Sequence, residues 1–503
     1  MQMNELQKTR VEKFEHLKSL GGHFPYAFDR SHTNAAFLEH FSELQESGEE
    51  MSLAGRLMFR NRFGKLMFLR VFDETGRVQW VVNKREVEDE LFQLINKGVD
   101  IGDICGARGT AFETKTGEKS LLVKSFVVLG KNTRPLPEKF HSVKDKETRY
   151  RQRELDMIMN RDSFAVFEQR SRMLGFVRRW MESRGFLEVE TPILQSVYGG
   201  AEATPFTTEV KALDETVYLS ISPELYLKRF IVGGFAKVFT IGKNFRNEGI
   251  DATHNPEFTM LESYEAYVDY NAVMAMTEQL LHDVCVHLRG APAVTYGETR
   301  VSFELPFKRV AFFDALQRAT GFGADVPLEA LVEYLKEHPE AQNVDLTLPR
   351  PRLLLKVFEL AVEEHIEQPT FIIDYPRETS PLCRPHREDP ELIERFELFM
   401  LGRELANAYS ELNDPIVQRN LLTEQSRLSS QDAEIPPEPD EYFMQAIEYG
   451  MPPTGGLGIG LDRLLMLLTD SPSIRDIIAF PFMRRESGSD AENGGETAAE
   501  EQG

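Results

Sequence analysis

The chain has 503 residues, 41% of them hydrophobic and 28% charged, which reads as a globular protein of two or three domains with at least one large core. A formal net charge of -23 argues against a uniformly basic nucleic-acid binder, and no apolar run approaches the roughly 20 residues that cross a bilayer, so a membrane partner is not expected. The three cysteines, Cys105, Cys285 and Cys383, are far apart; they read as structural thiols and fit a reducing cytoplasm, not a disulfide framework or a CxxC metal site.

The N-terminus, "MQMNELQKTRVEKFEHLKSLGG", mixes acids and bases with no apolar stretch and so does not read as a signal peptide. Val11, Phe14, Leu17 and Leu20 fall at helical spacing and Gly21-Gly22 ends the run, which predicts a helical extension within residues 1–50. Next come five short alternating segments, "LAGRLMFRN", "KLMFLRVFD", "VQWVVN", "ICGARGTAFET" and "KSLLVKSFVVLG". Turn signals and one helical interruption, "KREVEDELFQLINKG", separate them, which predicts a Greek-key barrel of the OB type over 51–135. Residues 55–70 hold Arg56, Arg60, Arg62, Lys65 and Arg70 and no acid, so a local basic face survives the net charge. Phe68 and Trp80 lie among these strands. Rings beside cations are how OB-folds hold single strands, and plain barrel core is the equally weighted alternative.

A proline-bearing linker at 136–160 leads into a larger domain over 161–485. A helix is expected over 163–184, with Leu174, Val177, Trp180 and Met181 on one face and Gly185 beyond its end. "FLEVETPIL" reads as a strand closed by Pro192. Strand signals recur at 217–221, 237–246, 258–267, 370–373 and 395–412, mostly as hairpins, which predicts an α+β domain: an antiparallel sheet flanked by helices. The region near 300–350 shows helical patterns without a chemical constellation and reads as an insertion. The tail 486–503 carries six acids and no base and reads as disordered.

Three stretches concentrate chemistry. In "FRNEGIDATHNPEFTMLESYEAY" a two-residue period puts Phe258, Met260, Glu262 and Tyr264 on one face, a poor core face but a good wall for an apolar stem with a cationic tip. Arg246 offers a planar fork for phosphate or carboxylate, and the loop adds Glu248, His254 and Asn255. In "GRELANAYSELND", Glu404 and Glu411 are the two carboxylates a Mg²⁺ ion beside phosphates requires. Seven residues apart, they need a bulge or twist to meet one ion. In "GGLGIGLDRLLMLLTD" the glycines permit close backbone approach, and Arg463 sits in the first turn of a helix, where only a nearby anion makes a cation favourable. Taken singly, the first stretch is more often a solvated, salt-bridged turn than a site, and by spacing alone Glu404 and Glu411 read first as unpaired surface glutamates.

Together they resemble the motifs of the class II aminoacyl-tRNA synthetases, and specifically the lysyl-tRNA synthetase family. "FLEVETPIL" is similar to motif 1, "FRNEGIDATHNPEFTMLESY" to motif 2 and "GLGIGLDRLLMLLTDSPSIRDII" to motif 3. "ISPELYLKRFIVGGFAKVF", "LPEKFHSVKDKETRYRQR" and "AYSELNDP" extend the likeness over about residues 50–485. The resemblance implies Arg246 at the α-phosphate and the substrate carboxylate, and Arg463 at the γ-phosphate. It places Glu248, His254, Asn255 and Phe258 around ATP, with Phe258 on the adenine, and Glu404 and Glu411 on Mg²⁺. Gly200, Glu224, Glu262, Tyr264, Asn407, Tyr409 and Glu411 fall to the lysine pocket together with Arg246. Tyr409 stands where many relatives have phenylalanine, and Ala408 where many have glycine. In the barrel, Phe68, Gln79 and Glu118 match positions that read the anticodon of tRNA-Lys, with Arg60 beside them. A homodimer built on motif 1 is also implied. Two readings compete: a lysyl transferase acting on a translation factor, whose relatives lack the barrel, and a synthetase-like RNA-binding protein that has lost catalysis.

Overall fold

The structure is a computed structural model and describes residues 3–137, 143–429 and 440–485; the acidic tail lies outside the described residues. The chain divides into two compact units, Met1–Lys144 and Asp145–Gly503.

In the first unit, helix α1 (Glu5–Leu20) is opened by a capping box between Asn4 and Gln7 and closed by Gly21 at φ 71°. Its Leu17 is fully buried, and Lys13 reaches Asp100 at 2.6 Å. Strands β1 (Glu50–Phe63), β2 (Leu66–Phe72), β3 (Arg77–Asn83), β4 (Ile104–Glu113) and β5 (Lys119–Gly130) close into a barrel in the order β1-β2-β3-β5-β4. The register sets Leu69 opposite Trp80 and Arg70 opposite Gln79. Met67, Leu69, Val71, Val78, Trp80 and Val82 therefore share the inward face, and all are buried. Trp80 is core and Phe68 is not, which divides the two rings that the sequence left together. Lys131, 1% exposed at its side chain, meets Asp103, itself fully buried, at 2.8 Å.

The second unit is an α+β layer. Helix α2 (Arg161–Ser183) buries Met173, Val177, Trp180 and Met181, and Gly185 follows at φ 82°. The remaining elements that frame the site are β6 (Leu187–Glu188), α3 (Glu224–Val232), β7 (Lys237–Phe245), β8 (Glu257–Ala266), α4 (Tyr270–Arg289), β9 (Lys308–Ala311), β10 (Thr370–Pro376), β11 (Leu392–Met400), β12 (Arg403–Ser410), β13 (Thr454–Gly460) and α5 (Leu461–Leu468). One eight-stranded sheet runs β9-β10-β11-β12-β13-β8-β7-β6, antiparallel except at its two edge pairs. Leu261, Ala406, Ala408, Leu457 and Ile459 pack on one face against α2, α4 and α5 to form the main core. The other face is left for chemistry.

Two local expectations are corrected. "FLEVETPIL" pairs with the large sheet only at Leu187–Glu188, and Leu194 pairs instead with Leu219 in a separate small sheet; Pro192, between them, has no N–H to donate, and Leu187, Ile193 and Leu194 are each 51% exposed. The run 395–412 is two strands, β11 and β12, turned at Leu401 and Gly402, both at positive φ. Around the expected insertion, helices Phe312–Thr320, Leu328–Glu337 and Arg350–Ala361 close a satellite core on Leu316, Leu331, Leu354 and Phe358.

Replacing Lys131 by Met strands Asp103 in the barrel and should cost about 3–5 kcal/mol. Urea unfolding followed by Trp80 emission in a Trp180→Phe background measures it.

Candidate active site

The site is a cavity of about 420 Å³ on the open sheet face. Period-two alternation builds it. Along β8, Phe258, Met260, Glu262 and Tyr264 point into the cavity, while Leu261 points to the core. Across the ladder, Met260, Glu262 and Tyr264 register with Gly460, Gly458 and Gly456 of β13. The "GLGIG" run thus alternates glycine toward the cavity with Leu457 and Ile459 toward the core. At Gly456 the missing side chain is required: a Cβ there would overlap the Glu411 carboxylate and stand 2.6 Å from the Tyr264 ring. Gly200 is held at φ 83° with Glu224 Cβ 3.0 Å from where its own Cβ would lie.

One end of the cavity collects carboxylates. Glu224, in the first turn of α3, accepts from Lys228 Nζ at 2.6 Å and from the Tyr409 hydroxyl at 2.6 Å. Lys228 is fully buried and also pairs with Glu411. Burial works against its charge, yet Glu224 and Glu411 hold its pKa above the ordinary lysine value. Glu262, 5% exposed, accepts from the Ser222 hydroxyl at 3.0 Å, and among the described residues no cationic side chain is in ion-pair contact with it. Burial first, then the Glu224 charge, push its pKa up to about 8.

The other end collects cations. The Arg246 guanidinium lies 5.1 Å from the Phe258 ring, and its Nε is buried with no hydrogen-bond partner among the described residues. Arg463 donates to the Glu404 carbonyl at 2.6 Å, approaches the Glu404 carboxylate at 3.6 Å, and its Nη2 is 3.4 Å from His254 Nε2. Glu404 supplies the anion that a cation in the first turn of a helix demands. Arg395 bridges Asn407 at 3.2 Å and pairs with Glu397, whose carboxyl is raised by burial and by the charge of Glu404 against the opposing Arg395. Glu248, His254 and Asn255 also line the cavity.

These observations define an acidic pocket and a cationic pocket on one antiparallel sheet. Residues 145–484 match the family described as tRNA synthetases class II (D, K and N), and residues 51–129 match the OB-fold nucleic acid binding domain. The chain belongs to the class II tRNA synthetases. Among its relatives are the lysine–tRNA ligases of Thermotoga maritima, 45% identical over 488 residues and covering 96% of each chain, and of Synechococcus sp. (strain CC9311), 47% identical over 499 residues with 96% of this chain and 100% of the relative covered. The lysine–tRNA ligase of Staphylococcus haemolyticus is 45% identical over 497 residues, 96% of this chain and 99% of its own. A synthetase of this class uses ATP as substrate, and the cationic end is chemically suited to its phosphates.

Most of the residues singled out in the sequence converge: Gly200, Glu224, Arg246, Glu248, His254, Asn255, Phe258, Glu262, Tyr264, Glu404, Asn407, Tyr409 and Arg463 all line the cavity. Glu411 does not. The ladder between β11 and β12 shifts register at Leu398/Phe399, so the expected bulge exists and turns Glu404, Asn407 and Tyr409 to one face. Glu411 instead joins Lys228 at the acidic end. Glu397 is the carboxylate that sequence reasoning missed beside Glu404.

Lys228 and Asp462 were also missed. Lys228 carried a signal, the i,i+4 spacing from Glu224 on a helix. Asp462 takes Arg170 Nη1 at 2.6 Å and the Thr259 N–H at 2.7 Å, tying α5 to α2 and β8; nothing in the sequence marked that triad.

In the barrel, Phe68 and Gln79 share the outward face, Gln79 donating to Ser120 Oγ at 3.0 Å, and Glu118 is exposed at the start of β5. Phe63, 63% exposed, stands edge-on to Phe68 at 6.0 Å and extends that face; its place in a hairpin tip beside a basic run was the available clue. Arg60 is not beside them. It registers with inward-facing Leu69 and donates to the Ile95 and Val99 carbonyls at 2.8 and 2.6 Å, which closes the barrel end.

Gly456→Ala should force Glu411 or Tyr264 out of place at a cost of about 2 kcal/mol, read as a lowered Tm with the chain still folded.

Proposed function

We infer that the chain is a lysine–tRNA ligase, and the observation that carries this is Glu262, a buried carboxylate without its own cation at the end of a cavity whose other end gathers arginines. L-lysine is activated with ATP: a carboxylate oxygen of lysine attacks the α-phosphorus, the bond to the β-phosphate bridging oxygen breaks, and lysyl-adenylate and pyrophosphate form. A ribose hydroxyl at the 3′ end of tRNA-Lys then attacks the lysyl carbonyl and AMP leaves. Neither step requires a protein nucleophile. Positioning and charge neutralisation carry the rate.

In this reading Glu262 and Glu224 hold the substrate ε-ammonium, Glu411 backs them, and Tyr264, Asn407, Tyr409 and Gly200 shape the channel for its stem. Arg246 grips the α-phosphate and the lysine carboxylate; its buried, unpartnered Nε supports that assignment. Phe258, beneath the Arg246 guanidinium, receives the adenine, with Glu248, His254 and Asn255 along the nucleotide and Arg463 at the γ-phosphate. Glu397 and Glu404 fit a Mg²⁺ ion: both offer hard oxygen donors, and burial and the charge of Glu404 disfavour ionisation of Glu397. The ion would neutralise phosphate charge there. An uncharged amino acid leaves Glu262 buried and unpaired, which costs several kcal/mol and is the basis of selection.

The outward barrel face with Phe68, Gln79 and Glu118 is assigned to the anticodon, Phe68 by stacking. A homodimer joined through Leu187, Ile193 and Leu194 would cover three exposed apolar side chains. The work belongs in the cytoplasm, where tRNA is charged.

Glu262→Gln should raise the lysine KM about 100-fold or more in ATP–pyrophosphate exchange, with the ATP KM nearly unchanged. Equal effects on both would remove Glu262 from the ammonium site. Because Glu262 titrates near pH 8 and must be ionised to hold an ammonium, kcat/KM for lysine should climb up to about tenfold per pH unit below 8. Above that it should level off, until the lysine amine itself deprotonates near its ordinary pKa of about 10.4. A flat profile from pH 6 to 8 would contradict the assignment. Sedimentation at micromolar concentration should give a species of twice 57.6 kDa.

A further inference from the structure

The acidic end of the cavity holds more charge than one substrate ammonium explains. Glu224, Glu262 and Glu411 come from three different elements, and each is at most 5% exposed. Lys228 meets two of them, with Glu224 Oε1 at 2.6 Å and Glu411 in direct contact. Its ammonium also lies 5.5 Å from the Tyr409 ring and 6.0 Å from the Phe443 ring, so it is enclosed on every side. Lys228 does not line the cavity; Glu224 and Glu262 do.

We propose that Lys228 is a resident cation occupying the rear of a two-cation pocket, which leaves the front position open to one primary ammonium and so makes Lys228 a positioning residue for amino-acid selection. The proposal rests on the reading that the lysine side chain enters this pocket. Among the described residues the ion pairs of Lys228 are with Glu224 and Glu411, so it acts on the substrate through them. It fixes both in place, and its charge opposes the upward push of burial on the Glu411 carboxyl, with Tyr409 bonded to the same Glu224 oxygen.

Charge conservation gives this arrangement its consequence. A buried pocket resists any change in net charge. The groups facing it are Glu224 and Lys228 of α3, Glu262 and Tyr264 of β8, and Tyr409 and Glu411 at the end of β12, with Arg246 and Cys383 at the margin. Burial pushes the Glu262 carboxyl up to about 8, so near pH 7 the free pocket holds a proton there, and burial also raises the Glu411 carboxyl against the opposing charge of Lys228. The arriving ammonium takes the place of that proton, and the net charge is the same before and after. A neutral analogue cannot displace it. Without Lys228 the carboxylates must retain further protons, and a set of neutral carboxyls no longer tells an ammonium from an apolar tip.

Three measurements test this. Lysine binding to the unaltered protein, measured by calorimetry near pH 7 in buffers of different ionisation enthalpy, should release about one proton per lysine. Release of two or more would mean that Lys228 does not hold Glu411 ionised against its burial, and would overturn the proposal. Lys228→Met should raise the lysine KM about tenfold or more with the ATP KM held, and move the rise of kcat/KM for lysine about one pH unit upward. Lys228→Arg, which keeps the charge, should recover most of both. A Lys228→Met chain whose lysine and ATP KM rise together at an unchanged pH profile would show a merely structural role and refute the proposal. If that variant does not fold, the proton count on the unaltered chain decides. Absence of any lysine-dependent exchange by the unaltered protein would sink the substrate reading instead.

Discussion

Glu262 is carried into the interior of an eight-stranded sheet with a hydroxyl but no cation of its own, and much of the catalytic unit is arranged around tolerating that side chain. An isolated ionised carboxylate in such a place is disfavoured by about 1.4 kcal/mol for each pKa unit of its upward shift. The fold meets this by keeping the group neutral near pH 7, by supplying the Ser222 hydroxyl, and by clearing side chains from the opposite strand. Gly458 of β13 is the register partner of Glu262, and Gly456 and Gly460 flank it at the same face. In the proposed reading, the destabilised group is the one that discriminates. A ligand bearing an ammonium relieves the strain, and one without it inherits the full cost.

The sheet also separates charge by distance. The same strand, β12, brings Glu404 to the cationic end and Tyr409 to the acidic end, with Asn407 between them. Arg246, at the end of β7, lies across from this strand on the cavity wall. In the proposed reading, an amino acid stretched along such a face would present its ammonium to Glu262 and its carboxylate to Arg246, which is the arrangement that attack on an α-phosphate needs. A single β-bulge beside Phe399 keeps the cavity-facing residues of β12 on one side after Glu404. Without that shift the alternation would send Asn407 and Tyr409 into the core.

The cavity wall was legible because it is local. The Phe258–Tyr264 alternation and the glycine alternation at 456–460 are both period-two statements, and the ladder only had to align them. What stayed hidden required knowledge of partners distant in sequence. Glu404 and Glu411 share a segment and read as a pair, yet Glu411 is paired with Lys228 at the acidic end. The true neighbour of Glu404 is Glu397, on the adjacent strand. Arg60 and Phe68 belong to one basic hairpin, but the register places them on opposite faces, one closing the barrel and one facing out. Trp80 and Phe68 divide in the same way. Lys228 looked like an ordinary helical partner of Glu224, since nothing in the sequence gives its full burial or its second contact with Glu411.

The barrel resolves a conflict set by composition. A chain of formal charge -23 repels a polyanion at long range, so recognition of RNA depends on local fields that salt screens within about 10 Å. The hairpin of β1 and β2 satisfies that condition. Arg70 lies over the Phe59 ring at 4.9 Å and Arg62 over Phe92 at 5.3 Å, so both guanidiniums are held near the outer surface without an acidic partner from residues 55–70 to cancel them. Under the proposed anticodon assignment, stacking on Phe68 and Phe63 would add a contact that does not depend on net charge at all. With long-range attraction absent, short-range ring and hydrogen-bond contacts carry a larger share of the binding energy. That share is the part able to tell one base from another, so an acidic chain gives up non-specific affinity and keeps its selectivity.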